Sequence, residues 1–325
     1  MPHSPAVSAP TVCVLVPTWR RPDDLSRCLA ALAALDEPAE QIVVVTREED
    51  REAREVVARH RGALPVEEVV VDRSGSVHAR NAGLERVRTD VVAFIDDDVA
   101  PRPDWTRRIR EWFARDERVG ALGGRDHVRL FNEGGRLDTG KRDVVGKVSW
   151  YGRFVGLHHL GHGEPREVDF LKGANMIART AAIPAGGFDA NLRGAGAEHH
   201  EDWVFSLAIK RAGWKVVFDP EVAVDHYQGP RFGGTVRGRT EGQERLDKLH
   251  NRTYAAIRHL PLHHALAHVV YVIFGGTQHG PGILGALVMA ARRPREAPRT
   301  LRELPSTLRW RMRAVATGVR ARRAA

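Results

Sequence analysis

The stretch that decides the fold is VVAFIDDDVAPRPD, residues Val91 to Asp104. Its first five residues form an apolar run that is long enough for a strand buried on both faces of a sheet. Three carboxylates follow at once: Asp96, Asp97 and Asp98. Like charges this close repel one another unless a cation or solvent relieves the repulsion. In an extended chain alternate residues share a face, so we expect Asp96 and Asp98 to point to one site and Asp97 away from it.

The triplet has two interpretations. Carboxylate oxygens suit Mg²⁺ or Mn²⁺, and sites of this kind usually share the ion with the phosphates of a substrate. Alternatively, the triplet is a solvated acidic turn that caps the helix predicted to begin near Asp104. The triplet alone leaves both interpretations open.

The composition is that of a soluble globular protein, with 42% hydrophobic and 28% charged residues in a chain of 325. The two cysteines, Cys13 and Cys28, lack metal-ligand spacing, and the first ten residues lack a signal-peptide pattern. These features predict a reduced, cytoplasmic protein. The formal net charge of +9 is confined to residues 292–325, which contain 11 arginines and two acidic residues. Because Trp310 is the only stacking aromatic there, nucleic acid is not an expected partner.

The chain before the triplet alternates between apolar runs and helical patterns. Residues 11–18, 41–46 and 66–72 are predicted strands, separated by helix-like segments. This alternation predicts an α/β fold with a parallel sheet and helices on its faces. Ligands of such sheets bind at the carboxyl ends of the strands. Residues 119–168 have no such pattern and are predicted to be partly irregular, with His158 at the surface.

Two further places are candidates for chemistry. Gly75 permits close approach of the backbone to a ligand, and the guanidinium of Arg80 can meet a phosphate with two parallel hydrogen bonds. Glu201 and Asp202 lie in or just before the first turn of a predicted helix. A carboxylate there is either a cap stabilised by the helix dipole or a positioned base.

Five blocks of the sequence occur in an order and at a spacing that resemble those of family 2 glycosyltransferases. They are VLVPTWRRPDDLSRCLAAL, GSVHARNAGL, VVAFIDDDVAPRPDW, FLKGANMIART with GGFD, and EDWVFSLAIKRAGWKVVFDPEVAVDH. The resemblance covers roughly Thr11 to Tyr227. It implies a GT-A fold, which is a Rossmann-like, mostly parallel central sheet with helices on both faces. It also implies inverting transfer of a sugar from a nucleotide-diphosphate donor to a hydroxyl of a glycan, lipid-linked or small-molecule acceptor. Such transfer would require a divalent cation, Mn²⁺ or Mg²⁺, and would serve bacterial polysaccharide or glycoconjugate synthesis.

The resemblance also implies roles for individual residues. Asp202 matches the catalytic base, and Asp98 and His226 match the metal ligands. The positions implied to bind substrate are Pro17, Thr18, Arg20, Glu48, Gly75, Arg80, Asp96, Asp97, Gly173, Ala174, Asn175 and Glu201. Glu48 stands where the family often has an acidic, Ser-rich turn, so this departure leaves the nucleobase unassigned.

The resemblance ends near His226, and residues 1–235 are predicted to form the catalytic domain. Residues 236–325 are predicted to form a helical C-terminal extension, preceded by a mobile loop over residues 231–242. Within 306–325, four apolar residues share one helical stripe beside several arginines: Leu308, Met312, Val315 and Val319. This pattern predicts peripheral contact with the inner face of the cell membrane, and a solvated tail is the alternative.

Two other functions share part of this pattern. A nucleotidyltransferase would use a similar nucleotide and metal site, but it normally has a Gly-, Arg- and Lys-rich loop after the first strand, which PTWRRPDD fits poorly. A catalytically inactive sugar-nucleotide-binding relative would have the same sequence features, because a sequence does not reveal turnover.

Overall fold

The computed structural model describes residues 9–130, 136–137, 139–194, 196, 198–227, 241–277, 280–295 and 297–324. The first half of the chain alternates strands and helices as predicted. These elements are β1 (Val12–Pro17), α1 (Pro22–Ala33), β2 (Gln41–Arg47), α2 (Arg51–His60), β3 (Val66–Val71), α3 (Ser76–Leu84) and β4 (Val91–Ile95). The triplet follows β4 directly, before the short β5 (Val99–Pro101) and α4 (Trp105–Arg115).

The second half contributes more strands to the sheet, and then helices. Its strands are β6 (Val119–Leu130), β7 (Arg136–Leu137), β8 (Lys147–Val148), β9 (Phe154–Val155), β10 (Arg166–Glu167), β11 (Asn175–Arg179) and β12 (Lys215–Tyr227), with α5 (Glu201–Arg211) between the last two. The C-terminal elements are α6 (Glu241–His259), α7 (Leu262–Phe274), β13 (Gly276–Thr277), β14 (Gly280–Pro281), α8 (Ile283–Arg292) and α9 (Ala297–Arg323).

The main sheet is mixed, with neighbouring strands in the order β10-β12-β6-β11-β4-β1-β2-β3. Strands β1 to β4 pair in parallel, as do β6 and β12, whereas β11 pairs antiparallel to both β4 and β6. The carboxyl ends of β1, β2, β4 and β12 therefore meet at one edge of the sheet. The candidate residues from distant parts of the sequence gather at this edge.

Both faces of the sheet are covered, which explains the unbroken apolar runs of its strands. Along β1, Val12, Val14 and Val16 pack with residues of α1, α2 and α4. The alternate residues Cys13 and Leu15 pack in a second cluster with residues of α3, α5 and α6. This arrangement confirms the predicted layers of helices on both faces.

Two expectations about local structure were wrong. Asp97 does not point away from its neighbours, because the strand ends at Ile95 and residues 96–98 form a turn, closed by a hydrogen bond from Val99 N to Asp96 O (3.3 Å). Residues 119–168, predicted to be partly irregular, begin with the 12-residue strand β6, and residues 139–168 are mostly turns and coil. His158 is buried, at 2% exposure, and its Nε2 lies 3.0 Å from the carbonyl oxygen of Phe170.

The C-terminal helices pack on the part of the protein that contains the main sheet. Tyr254 and Leu260 lie in the same hydrophobic cluster as Phe94 and Phe205 of the sheet and α5. The proposed boundary at residue 235 and residues 231–240 of the loop predicted over 231–242 lie outside the described residues, so both stay predictions. Residues 241 and 242 belong to α6. No helix of the described part of the chain is long and apolar enough to cross a membrane.

The predicted apolar stripe of the tail lies on α9, but it is not the face by which α9 packs. The buried residues of α9 are Thr307, Arg311, Ala314 and Gly318. Of the predicted stripe, Met312 is 51% exposed, and the other three residues are half-buried at the rim of this contact. The tail stripe thus lies beside the packed face of α9 and is partly covered by the protein, and its contact with a membrane stays a prediction.

Candidate active site

The acidic triplet is held by cationic side chains. Nη1 of Arg21, one residue before α1, donates to Oδ1 of Asp97 (2.9 Å) and to Oδ2 of Asp98 (3.1 Å). The hydroxyl of Thr18, at the end of β1, donates to Oδ2 of Asp97 (2.8 Å). Because these aspartates face partners at the end of β1 and β5 separates them from α4, they do not cap α4.

The third aspartate of the triplet begins a connected chain of buried polar groups. Oδ1 of Asp98 lies 3.3 Å from Nε2 of His226, and Nδ1 of His226 lies 3.1 Å from Oδ2 of Asp126. Asp126, on β6, is 1% exposed and also accepts a hydrogen bond from Nζ of Lys172. Asp98 and His226 were both predicted from the sequence and are adjacent in space, with Asp126 fixing the far side of the imidazole.

The remaining aspartate, Asp96, is linked to α5 through Arg80. The guanidinium of Arg80 donates to Oδ1 of Asp96 (3.0 Å) and to Oε1 of Glu201 (2.9 Å). Arg80 is 4% exposed, so this ion-paired bridge between α3, the triplet and α5 is shielded from water. Its Nε–H is buried and donates no hydrogen bond to any of the described residues. Arg80 therefore lies at the centre of the site, where it can bind phosphate only in competition with these carboxylates.

Asp202 is fixed by the backbone around it. Its Oδ2 accepts a hydrogen bond from Gly173 N (2.8 Å), and its Oδ1 accepts one from Trp203 N (2.9 Å). A Cβ at position 173 would lie 3.3 Å from Cβ of Asp202 and 3.5 Å from Nη2 of Arg80. Glycine therefore lets the loop before β11 pass close to both the carboxylate and the guanidinium.

The two residues after Gly173 are buried in the fold. Ala174 is 3% exposed and Asn175 is 2% exposed. The amide of Asn175 accepts from Nε1 of Trp105 (3.1 Å) and donates to the carbonyl of Val222 (2.7 Å). The Asn175 side chain thus ties β11 to α4 and β12, and a role of Ala174 or Asn175 in binding substrate stays a prediction.

The predicted nucleotide side of the site lies at the ends of β1 and β2. Pro17 ends β1, and the backbone N of Thr18 donates to the carbonyl of Val45 (2.9 Å). Arg20 is exposed, with its guanidinium over the Trp19 ring at 4.7 Å. Glu48 is also exposed, just beyond β2. Both charged side chains are thus accessible, and their contact with a nucleotide stays a prediction.

Gly75 precedes α3 with a φ of +139°, a conformation that favours glycine. A carboxylate occupies the adjacent N-terminus of α3: Glu198 accepts from Ser76 Oγ (2.9 Å) and from Val77 N (3.1 Å). A carboxylate is favourable at this end of a helix dipole. This contact ties the segment just before α5, which begins at Glu201, to α3, which contains Arg80.

Burial and charge shift the ionisation of these groups. Burial raises the pKa of Asp97 to about 7 although Arg21 opposes the change, and burial raises the pKa of Glu201 to about 8 although Arg80 opposes it. The pKa of Asp202 is also raised by burial, against the two backbone hydrogen bonds that favour its ionised form. Burial would raise the pKa of Asp98 as well, but contact with His226 and the charge of Arg21 hold it below its ordinary value.

The residues fit a divalent cation. The Oδ1 atom of Asp98 is buried and makes no hydrogen bond of normal geometry with the described residues. It faces Nε2 of His226 at 3.3 Å, so an ion bound here would have both side chains within reach as ligands. No group of three His, Cys, Asp or Glu side chains in the described residues forms a complete metal site. Two protein ligands with the remaining positions left to substrate phosphates are the usual arrangement for such ions.

Four residues of this site were missed by sequence reasoning: Arg21, Asp126, Lys172 and Glu198. Arg21 stands beside Arg20, which was predicted instead, and only the geometry of the turn distinguishes the two. Asp126 lies in a segment without a readable pattern, and its relation to His226 depends on the pairing of β6 with β12. Lys172 lies in the matched block FLKGANMIART, but only the structure shows its contact with Asp126. Glu198 lies three residues before Glu201 and four before Asp202, so an acidic cluster was the available signal.

The fold and the site define an α/β protein with a buried acidic centre at the carboxyl ends of its strands, of the kind that binds phosphorylated ligands. Residues 9–244 match the family described as glycosyltransferase like family 2. The chain belongs to this family, as its five sequence blocks predicted.

Similar proteins and structures support the same assignment. The glucosyl-dolichyl phosphate glucuronosyltransferase of Haloferax volcanii is 27% identical over 209 residues, which are 61% of this chain and 62% of that protein. The structure of TarS residues 1–349 from S. aureus in complex with UDP-GlcNAc has a TM-score of 0.58 at 16% identity, over 81% of this chain and 72% of that one. The mannosyltransferase PcManGT from Pyrobaculum calidifontis, in complex with GDP-Man and Mn²⁺, has a TM-score of 0.52 at 17% identity, over 95% of this chain and 87% of that one. The structural likeness confirms the GT-A fold.

Proposed function

We propose that the protein is an inverting glycosyltransferase that moves a sugar from a nucleotide-diphosphate donor to a hydroxyl of an acceptor. The observation that carries the proposal is the pairing of two unlike centres at one edge of the sheet. Asp98 and His226 form a centre suited to a cation and a diphosphate. Asp202 is a fixed carboxylate beside Gly173, and Arg80 links the two centres.

The donor half of the reaction follows from charge. The nucleoside diphosphate gains negative charge as the glycosidic bond breaks, so groups that stabilise this charge accelerate the reaction. Bound at Asp98 and His226, Mn²⁺ or Mg²⁺ would supply a Lewis acid for the phosphates. Thr18 and Arg21 hold the neighbouring Asp97 in place, which fixes the turn that presents Asp98. The complexes of PcManGT with GDP-Man and Mn²⁺ and of TarS with UDP-GlcNAc support this donor class.

The acceptor half requires a base. A hydroxyl loses its proton as it attacks the anomeric carbon, and a carboxylate held within hydrogen-bond reach can take that proton. Two backbone N–H groups orient Asp202, and its raised pKa makes it a stronger base than an ordinary aspartate. Glu201 is paired with Arg80 and is therefore less suited to this role. One base and one direct displacement give inversion at the anomeric carbon.

The acceptor class remains open between glycans, lipid-linked saccharides and small molecules. The relative from Haloferax volcanii is named for a glucosyl-dolichyl phosphate substrate, which favours a lipid-linked acceptor in polysaccharide or glycoconjugate synthesis. A nucleotidyltransferase is less favoured, because the family match covers the residues of both centres.

The test is incubation of the whole protein with a panel of nucleotide sugars and Mn²⁺, with and without saccharide acceptors. We expect release of a nucleoside diphosphate with one donor, faster when the right acceptor is present. The anomeric configuration of the product, read by NMR, should be opposite to that of the donor. Release of inorganic pyrophosphate from a nucleoside triphosphate and a sugar phosphate would instead indicate a nucleotidyltransferase, and retention would contradict the single displacement.

A further inference from the structure

The two helices α7 and α8 expose large apolar side chains to solvent. On α7 these residues recur every fourth position and are 45–63% exposed: Leu262, Leu266, Val270 and Phe274. On α8 they are 49–56% exposed: Leu284, Leu287 and Val288. We call these seven side chains the α7–α8 face. They make up seven of the thirteen large hydrophobic residues that are exposed in the described part of the chain.

The face is unlike an ordinary protein surface in its lack of charge. From Leu262 to Ala291 the sequence contains no Asp, Glu, Lys or Arg. The inward sides of the helices are already satisfied, because Ala265, His268 and Val272 of α7 and Ala286 of α8 are buried. Exposed apolar helix faces of this kind are typical of sites that interact with a partner or a membrane.

The helices are held in a fixed hairpin, so the face is a defined surface. The guanidinium of Arg311 on α9 is buried and donates to the carbonyl oxygens of Val272, of Gly280 (2.6 Å) and of Pro281 (3.2 Å). At the crossing of the helices, a Cβ at Gly285 would lie 2.2 Å from the carbonyl oxygen of Gly275. A buried cation and close glycine packing thus position both helices from the protein side.

The charges at the end of α8 indicate the partner. Residues 292–302 contain five arginines and one acidic residue. Arg292, Arg293 and Arg295 are exposed. Apolar helices flanked by basic residues bind at the interface of anionic membranes, where each Lys or Arg near the surface adds attraction to the lipid phosphates. A second copy of the chain would bring the same arginines to the contact, which disfavours a dimer through this face.

We propose that the α7–α8 face is a membrane-docking surface that lies in the headgroup region of an anionic lipid bilayer, with the arginines at the end of α8 at the lipid phosphates. The apolar contact is thereby assigned to α7 and α8 and not to the half-buried stripe of α9. The proposal does not depend on which sugar or acceptor the protein uses.

The test is co-sedimentation of the whole protein with phosphatidylcholine vesicles, with and without phosphatidylglycerol. We expect binding to the phosphatidylglycerol vesicles that weakens as salt is raised.

Leu266→Gln combined with Leu287→Gln should lower the partition coefficient about tenfold or more, because two side chains lose their place among the lipids. Val70→Gln, at an exposed valine of β3, is the matched control and should bind as the wild type does. Arg292→Gln combined with Arg293→Gln and Arg295→Gln should lower binding to phosphatidylglycerol vesicles about tenfold or more. The same variant should bind vesicles of phosphatidylcholine alone nearly as the wild type does.

A second measurement does not depend on weakened variants. Both native cysteines, Cys13 and Cys28, are 0% exposed, so a dye would label a cysteine introduced at Val270 selectively. An environment-sensitive dye there should shift to the blue on phosphatidylglycerol vesicles, and the same dye at Val70 should not. Equal partitioning of the wild type and the Leu variants, or no shift at position 270, overturns the proposal. The proposal is also overturned if the wild type does not bind vesicles but forms a dimer that Val270→Gln dissociates. The partner of the α7–α8 face would then be a second copy of the chain.

Discussion

Asp202→Asn separates the chemistry of the proposed base from its place in the fold. The substitution keeps the size of the side chain but removes its basicity. We expect kcat to fall by about 10²–10⁴, the usual contribution of a general base. The dissociation constant of the donor should change little, because Asp202 lies with Gly173 and α5 and not with the proposed metal ligands.

The structure adds a stability effect to this prediction. Both oxygens of Asp202 accept backbone hydrogen bonds, but asparagine has only one acceptor oxygen, so its NH₂ group must face either Gly173 N or Trp203 N. One hydrogen bond is lost and two donors oppose each other, which costs about 1–3 kcal/mol. The raised pKa of Asp202 acts in the other direction, because a neutral side chain avoids the cost of burying a charge. We therefore expect the free energy of unfolding to fall by about 1–2 kcal/mol at most, whereas the loss in kcat corresponds to about 3–5 kcal/mol in the activation barrier.

Asp219→Asn is the matched control. Asp219 is 6% exposed, and its two oxygens accept from Trp112 Nε1 (2.7 Å) and Glu221 N (2.9 Å). Asp219→Asn therefore loses one of two accepted hydrogen bonds, as Asp202→Asn does. Asp219, however, lies outside the candidate site. Initial rates of nucleoside diphosphate release and urea unfolding would be measured for both variants. Normal kcat in Asp202→Asn would refute the assignment of the base and make Glu201 the next candidate, and equal losses of kcat in both variants would attribute the effect to stability.

Three further outcomes are expected. EDTA, or Asp98→Ala, should abolish transfer while the circular dichroism spectrum stays native, and full activity in EDTA would contradict a metal-dependent mechanism. Asp126→Asn should weaken the binding of Mn²⁺ by about 10–100-fold, because Asp126 fixes the orientation of His226. The binding would be measured by electron paramagnetic resonance without any substrate. An unchanged affinity for Mn²⁺ would leave Asp126 a purely structural role. Burial lowers the pKa of His158 and of His268 from 6.5 to about 4, so the stability they contribute is complete above pH 6.5 and is lost as the pH falls toward 4. At about pH 5 each histidine should lower the free energy of unfolding, measured in urea, by about 2 kcal/mol. His158→Gln should remove the loss due to His158, and His268→Asn the loss due to His268, because both replacements can keep the hydrogen bond to a backbone carbonyl.

The parts of the fold that the sequence predicted are those with local signals. The strands β1, β2 and β4 are continuous apolar runs because both faces of the sheet are covered, and each was predicted close to its observed bounds. Strand β6 gave no such signal, because Gly120, Gly123 and Gly124 interrupt it. These glycines are required by contacts with distant residues: a Cβ at Gly124 would lie 1.5 Å from the carbonyl oxygen of Val222. Such pairing between strands is not visible in a local pattern.

The site divides in the same way. Asp98, Asp202 and Arg80 stand in motifs whose residue types already indicate their chemistry. Asp126 carries no motif, and it becomes part of the site only because β6 lies beside β12. Lys172 stands in the block FLKGANMIART, but its place in the site follows only from its contact with Asp126. The alternation expected for the triplet failed for a related reason, since the turn at residues 96–98 is held by contacts with Thr18 and Arg21, which lie between β1 and α1.

The balance of charge explains why the acidic centre holds together and why it suits a cation. Seven carboxylates lie at the site: Asp96, Asp97, Asp98, Asp126, Glu198, Glu201 and Asp202. They are opposed by four groups that carry or can carry positive charge: Arg21, Arg80, Lys172 and His226. With all of them ionised, three negative charges remain. Burial opposes that excess in the folded protein, because it raises the pKa of Asp97 to about 7 and that of Glu201 to about 8. A divalent cation would offset two negative charges, and His226 would have to be neutral to bind it. The helix-cap interpretation of the triplet offers no such balance, because it gives these carboxylates only a helix end to face.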